Sequence, residues 1–178
     1  MPPHTIAGER LDLVLLTEDV LEPLFAGRRA EAEAAGGFLL PDGWPDDHDG
    51  RWLRLRLKQM REDPAATVWL ARAMVLRSDP HRAMVGHIGF HGPAQDGAAE
   101  MGYTVMPSHR RRGYAHEAVL AMMRWAREEC GVQRFILSIS PENAPSLALA
   151  ARLGFVQTGE QMDEEDGLEY VLELPAPA

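Results

Sequence analysis

Between Met101 and Ala126 the chain reads MGYTVMPSHRRRGYAHEAVLAMMRWA, and this stretch restricts the fold more than any other. Tyr103, Thr104 and Val105 favour an extended, half-buried strand. Pro107 ends it, three arginines follow, and from Gly113 the period changes. Ala115, Val119, Met122, Ala126 and Cys130 recur at spacings of three or four, a stripe one helix face wide. A strand therefore passes through a short basic loop directly into a long amphipathic helix, with Gly113 at the closest approach. Free N–H groups and the positive dipole end make such a helix start an anion site, and a phosphorylated cofactor is its expected occupant.

The remaining elements are read outward from there. Arg10–Thr17 is an apolar first strand, and Thr17-Glu18-Asp19 caps a helix running to roughly Ala34, with Pro23 inside it. Phe38–Gly50 (FLLPDGWPDDHDG) is irregular, and its Phe38, Leu39, Leu40 and Trp44 either wall a substrate cleft or cap the core. Arg51–Arg61 is a second helix. Strands over Thr67–Leu76, Ala83–Gly89 and Ala98–Val105 form an antiparallel meander through the turns SDPH and GPAQDG. After the central helix come a strand at Arg134–Ser140, a helix at Ala144–Leu153, and strands at Phe155–Gly159 and Leu168–Leu174. An acidic turn containing QMDEEDG joins the last two. A right-handed crossover around the central helix places parallel pairing in the sheet. The expected fold class is α/β (mixed α+β): a central, mostly antiparallel seven-stranded sheet with about four helices. With no repeat and no boundary, residues 1–178 read as one domain.

Charge and cysteine content narrow the partners. The formal net charge of −9 argues against nucleic acid or an anionic membrane, since both need a basic surface. The single cysteine excludes an internal disulfide, and no apolar run reaches a membrane span, so a cytoplasmic location is expected. No metal site is expected. The histidines are scattered, and the HxxxH pair His87 and His91 lies on a strand, where four residues separate them by roughly 13 Å.

The loop is neither a dinucleotide fingerprint nor a P-loop. RRRGYA resembles instead the pyrophosphate loop Gln/Arg-x-x-Gly-x-Gly/Ala of the GNAT N-acetyltransferases, through Arg110, Gly113 and Ala115. Downstream, Asn143, Ser146, Leu149, Arg152, Gly154 and Phe155 of NAPSLALAARLGF match the family's second signature. AEMGYTV is similar to a strand of the RimJ/RimL-like branch, which acetylates ribosomal-protein N-termini. The resemblance implies the GNAT fold and acetyl-CoA as donor. Backbone amides from Arg111 through Gly113 and Tyr114 to Ala115 would cradle the pyrophosphate, and one or more of Arg110, Arg111 and Arg112 would add charge, since three adjacent side chains cannot all face one anion. Val105 would bond the pantetheine arm, and Asn143 would bond the cofactor near its thiol end.

Acetylation needs a free amine, a base to deprotonate it and a proton for the departing thiolate. The tyrosine acid of many family members is replaced by Ala150; the resemblance to the RimJ/RimL-like branch, where a serine one turn earlier is the thiolate partner, implies Ser146 in that role. Glu100 and Glu165, with Glu164 beside it, are candidate bases, and His91 is a further one. Phe38 and Trp44 are candidate substrate contacts. The acceptor reads as a small-molecule amine or a protein N-terminus, and the protein as a monomer or homodimer. The rival reading is a GNAT-fold domain that binds acyl-CoA without turnover.

Overall fold

The computed structural model describes residues 5–176. Its strands are β1 (Thr5–Ala7), β2 (Leu11–Leu15), β3 (Arg72–Leu76), β4 (Met84–Phe90), β5 (Ala98–Val105), β6 (Arg134–Ile139), β7 (Val156–Asp163) and β8 (Gly167–Leu174). The α-helices are α1 (Glu18–Phe25), α2 (Arg29–Gly36), α3 (Asp47–Glu62), α4 (Tyr114–Cys130) and α5 (Ala144–Arg152). The strands form an eight-stranded sheet in the order β1-β2-β3-β4-β5-β6-β8-β7. β5 and β6 pair parallel, whereas β1·β2, β2·β3, β3·β4, β6·β8 and β7·β8 are antiparallel. The mixed, mostly antiparallel sheet is the expected one, with an eighth strand because Thr5–Ala7 adds to the edge of β2.

Other departures have local causes. The single helix expected through Ala34 is two, because Gly27 takes a φ of 74° after α1 and the chain restarts at Arg29. The helix expected from Arg51 begins at Asp47, inside the segment read as irregular: the Asp46 side chain accepts from Asp49 N at 2.8 Å and caps it. Thr67–Trp69 is not strand. Pro64 opens a 3-10 turn capped by Asp63, which accepts from Ala65 N, and this turn overrides the β preference of Thr67 and Val68. β7 extends to Asp163, past the expected Gly159.

The chain divides into two compact units. The first holds the described residues up to Gly89 together with Tyr103–Met122, and the second holds Phe90–Gly102 and the residues from Met123 onward. In the first, β2 buries every second side chain, and Leu16, Leu21, Leu53, Leu70 and Val75 bring α1, α3 and β3 into one core. The second is centred on Phe90, whose ring lies 6.3 Å from those of Trp125 and Phe135. Among the described residues no helix is long and apolar enough to cross a membrane.

Candidate functional site

In the first unit, the chain leaves β5 through a 3-10 turn at Pro107–His109 and enters α4 at Tyr114. The loop between them is tied to itself and to β2's approach. Arg110 Nε donates to Val105 O at 3.0 Å, and Arg112 Nη2 donates to Ser108 O at 3.3 Å. Two of the three arginines expected to face an anion thus brace the loop, and Arg111 shares in neither bond. Arg111 and Gly113 are left-handed, with φ of 59° and 80°. The helical ladder starts with Glu117 N to Gly113 O at 3.1 Å, so the N–H groups of Tyr114, Ala115 and His116 precede it and have no acceptor within the helix. Such N–H groups, in a turn opening a helix, fit a phosphate.

A side chain from far upstream holds this loop in place. Arg10 donates through Nη1 to Arg112 O at 2.9 Å and through Nε to Glu117 Oε2 at 2.8 Å, and its guanidinium lies 4.9 Å from the Tyr114 ring centroid. A Cβ on Gly113 would sit 3.3 Å from Arg10 Nη2, so glycine serves both the left-handed φ and the close approach. The Glu117 carboxylate also accepts from the backbone N–H groups of Arg10 (2.6 Å) and Leu11 (3.0 Å). Burial alone would raise its pKa, but the Arg10 and Leu11 hydrogen bonds outweigh it and hold the carboxyl below its ordinary value.

In the second unit, the parallel ladder pairs Ala98 with Arg134, Ala99 with Phe135 and Glu100 with Ile136, and stops there although β6 continues to Ile139. At this end Ser138 Oγ donates to Glu100 Oε1 at 2.6 Å. Gln161 Nε2 donates to Ser138 Oγ at 3.0 Å and to Glu169 Oε2 at 2.9 Å. His91 Nδ1 lies 3.6 Å from Glu100 Oε1, and its backbone N–H donates to Glu100 O at 2.8 Å. Burial pushes the Glu169 carboxyl up; the Gln161 bond opposes this, and the charges of Asp163, Asp166 and Glu100 add to it. Asp163 is held low by the N–H groups of Asp166 and Glu165, against slight burial, with His91 contributing. Glu100, read from sequence as a base, thus sits in a polar network with two strands behind it.

The remaining predicted residues fall as follows. Phe38 and Trp44 are 3% and 6% exposed and belong to the first unit's core. The loop closes over its own apolar residues because Trp44 Nε1 donates to the buried Asp49 carboxylate at 2.7 Å. Glu165 is exposed in the turn between β7 and β8, its N–H bonded to Asp163 Oδ1 at 2.8 Å. Asn143 caps α5, accepting from Ser146 N at 3.3 Å. Ser146 is half-buried, and Ala150 is fully buried. Cys130 is half-buried at the end of α4. Among the described residues no three His, Cys, Asp or Glu side chains gather as metal ligands.

Sequence reasoning missed Arg10, Glu117, Ser138, Gln161 and Glu169. The alternation of β8 and the cross-strand position of Gln161 opposite Glu169 are the signals that bear on the last two, once register is known.

Solved structures share this arrangement of strands and helices. An acetyltransferase from Agrobacterium tumefaciens str. C58 superposes with a TM-score of 0.63 at 24% identity, covering 96% of this chain and 93% of its own. RimJ from Mycobacterium smegmatis, solved with CoA-disulfide, gives 0.65 at 18% identity, covering 98% and 88%. The fold is that of the GNAT acetyltransferases. The chain belongs to that family: residues 10–156 match the acetyltransferase (GNAT) domain. Among curated proteins, YnaD of Bacillus subtilis, an uncharacterized N-acetyltransferase, is 29% identical over 86 residues, 48% of this chain and 49% of YnaD. YjdG of the same organism is 32% identical over 84 residues, 47% and 49% of the two chains. The matches span about half the length of these curated relatives.

Proposed function

We propose that this chain is a single-domain N-acetyltransferase that moves the acetyl group of acetyl-CoA to a primary amine, either a small molecule or a protein N-terminus. The observation that carries the reading is the loop entering α4, where left-handed Arg111 and Gly113 precede helix-start N–H groups that lie before the first ladder bond. That local geometry suits a pyrophosphate, and acetyl-CoA supplies the acetyl group as a thioester open to direct attack.

This chain's own residues have separate tasks. Amides from Arg111 to Ala115, with Gly113 and Tyr114 among them, hold the pyrophosphate, and Arg111 adds its charge. Arg110 and Arg112 keep the loop closed, and Val105 offers its backbone to the pantetheine arm, as a strand edge does. In the second unit, Asn143 and Ser146 contact the thiol end, and the Ser146 hydroxyl donates to the sulfur. Glu100 takes the proton from the acceptor ammonium. Its hydrogen bond from Ser138 supports this role.

The test is release of CoA from acetyl-CoA in the presence of spermidine and of peptides beginning with alanine or serine, alongside CoA binding measured by calorimetry. Turnover on one class assigns the acceptor. Gly113→Val is expected to weaken CoA binding at least about tenfold, since a branched side chain meets both the left-handed φ and Arg10. Unchanged CoA affinity in that variant would defeat the reading, and binding without turnover on any amine would leave a non-catalytic acyl-CoA sensor.

A further inference from the structure

We propose that Ser138 and Gln161 are positioning residues for Glu100, and that His91 is the group through which Glu100 passes the acceptor's proton to solvent. The inference rests on the reading of Glu100 as the base.

Strand register assembles the chain of groups. Glu100 on β5 stands opposite Ile136 on β6, so Ser138, two residues on, shares the face of Ile136. Gln161 on β7 stands directly opposite Glu169 on β8, and Ser138 pairs with Val171 of the same strand. Two of the three hydrogen bonds then run toward Glu100 and the third anchors Gln161 to Glu169. A Glu169 carboxylate only accepts, so the Gln161 amide presents its NH2 group, and one N–H goes to Glu169 Oε2 and the other to Ser138 Oγ. Ser138 has a single proton, and with its oxygen already accepting it gives that proton to Glu100 Oε1 at 2.6 Å, the length of a charge-assisted bond. The Gln161-to-Ser138 and Ser138-to-Glu100 bonds both point toward Glu100. The arrangement fixes Oε1 and leaves Oε2 as the atom that meets the ammonium.

The same bonds decide where the proton goes next. A primary amide takes up no proton near neutral pH, so Gln161 separates Glu100 from Glu169 although both are carboxylates in one network. A Glu100 protonated by the amine cannot unload through β7 and β8. On its other side stands an imidazole: His91 Nδ1 is 3.6 Å from the same Oε1, with 43% of the side chain exposed. That gap exceeds a hydrogen bond, and a small turn of the exposed ring or one water closes it. Imidazole is the side chain suited to exchange protons with water near neutral pH. Charged groups that bear on it include Glu100 from β5 and Asp163 at the end of β7, and the charges of Asp163, Asp166 and Glu100 also act on Glu169.

The protons balance as follows. The acceptor ammonium gives one proton to Glu100 Oε2. The freed amine forms the C–N bond as the C–S bond breaks, and its second proton goes to the sulfur. Protonated Glu100 passes its proton to Nδ1 of neutral His91, and the imidazolium releases one to water. The net products are the amide, CoA thiol and one proton.

The experiment follows CoA release by the full chain with spermidine and the alanine- and serine-initiated peptides, alongside CoA affinity by calorimetry. Ser138→Ala is expected to lower kcat about tenfold, and Gln161→Leu by less, at unchanged KM for acetyl-CoA and unchanged CoA affinity, with Ser138→Thr retaining the rate. His91→Asn is expected to lower kcat about tenfold at unchanged KM for acetyl-CoA, with added imidazole restoring the rate. Full activity of Ser138→Ala, or a loss that Ser138→Thr shares, overturns the positioning role. A His91→Asn variant of full activity, or one that imidazole does not rescue, overturns the exit role while an inactive Glu100→Gln leaves the base reading standing. Full activity of Glu100→Gln overturns the base reading, and this proposal with it.

Discussion

Asp49 Oδ1 and His87 Nε2 meet 3.1 Å apart, with 8% and 5% of their side chains exposed, in the interior of the first unit. Asp49 belongs to the first turn of α3 and His87 to the middle of β4, and the same carboxylate accepts from the indole of Trp44. The Trp52 ring covers His87 at a centroid distance of 4.9 Å. One carboxylate therefore ties the Phe38-to-Asp46 segment, the start of a helix and a strand.

Asp49→Ala is expected to cost about 3–5 kcal/mol, because it strands His87 and the Trp44 N–H in a dry core. Trp44→Phe, which keeps an aromatic ring but leaves a small cavity and gives up one hydrogen bond, is expected to cost about 1–3 kcal/mol. Urea unfolding of the two variants checks the order. Burial would raise the Asp49 pKa, yet the His87 and Trp44 contacts hold it below its ordinary value. Its contribution is therefore complete above the unfolded carboxyl's pKa and disappears as pH falls through the lower folded one. The stability difference between the unaltered chain and Asp49→Asn is expected to shrink on acidification below about pH 4.

Glu117→Ala removes the acceptor of two backbone N–H groups and of Arg10 Nε. A loss of about 2 kcal/mol in unfolding free energy is expected, with weaker CoA binding because Arg10 no longer holds Arg112 O. Calorimetry and thermal melting read the two effects separately. Glu117→Gln is expected to retain more of both, since its amide oxygen still accepts.

Gly86 tolerates no side chain. A Cβ there would lie 2.3 Å from Thr104 O and 3.1 Å from Val105 Cα, both backbone atoms of β5. Gly86→Ala is expected to destabilise by about 1–3 kcal/mol and to shift the end of β5, lowering CoA affinity with it. Retained affinity alongside lost stability would place the pantetheine contact elsewhere.

Arg111→Gly separates loop geometry from loop charge. Relief of the left-handed φ, worth about 1 kcal/mol, is nearly offset by glycine's extra freedom in the unfolded chain. The melting temperature is expected to stay within about 2 °C of the unaltered protein. CoA affinity is expected to fall about tenfold, a loss that high salt makes smaller.

The loop and the Asn143-to-Phe155 segment were legible because each is a local pattern: Gly113, its arginines and the helix stripe lie within a few turns of one another. Helix starts failed where one cap competed with composition. Asp46 and Asp63 each bind an N–H two or three residues ahead, and that single bond outweighed prolines in one case and β-branched residues in the other. The segment from Phe38 to Trp44 left cleft wall and core cap both open, because the partner that buries Trp44 is a charged residue, Asp49, in an acidic run. The Ser138, Gln161 and Glu169 network is invisible without register, since its members lie on three strands and each has an ordinary surface reading alone.

The contact between Arg10 and Glu117 spans 107 residues of chain. Synthesis therefore exposes the clamp's first half long before its second exists, and Arg10 has neither Arg112 nor Glu117 to hold until most of the first unit has been made. A shortened chain beginning after Arg10 would keep the whole RRRGYA motif, with its local Arg110 and Arg112 bonds, and lose the hand that reaches it from upstream.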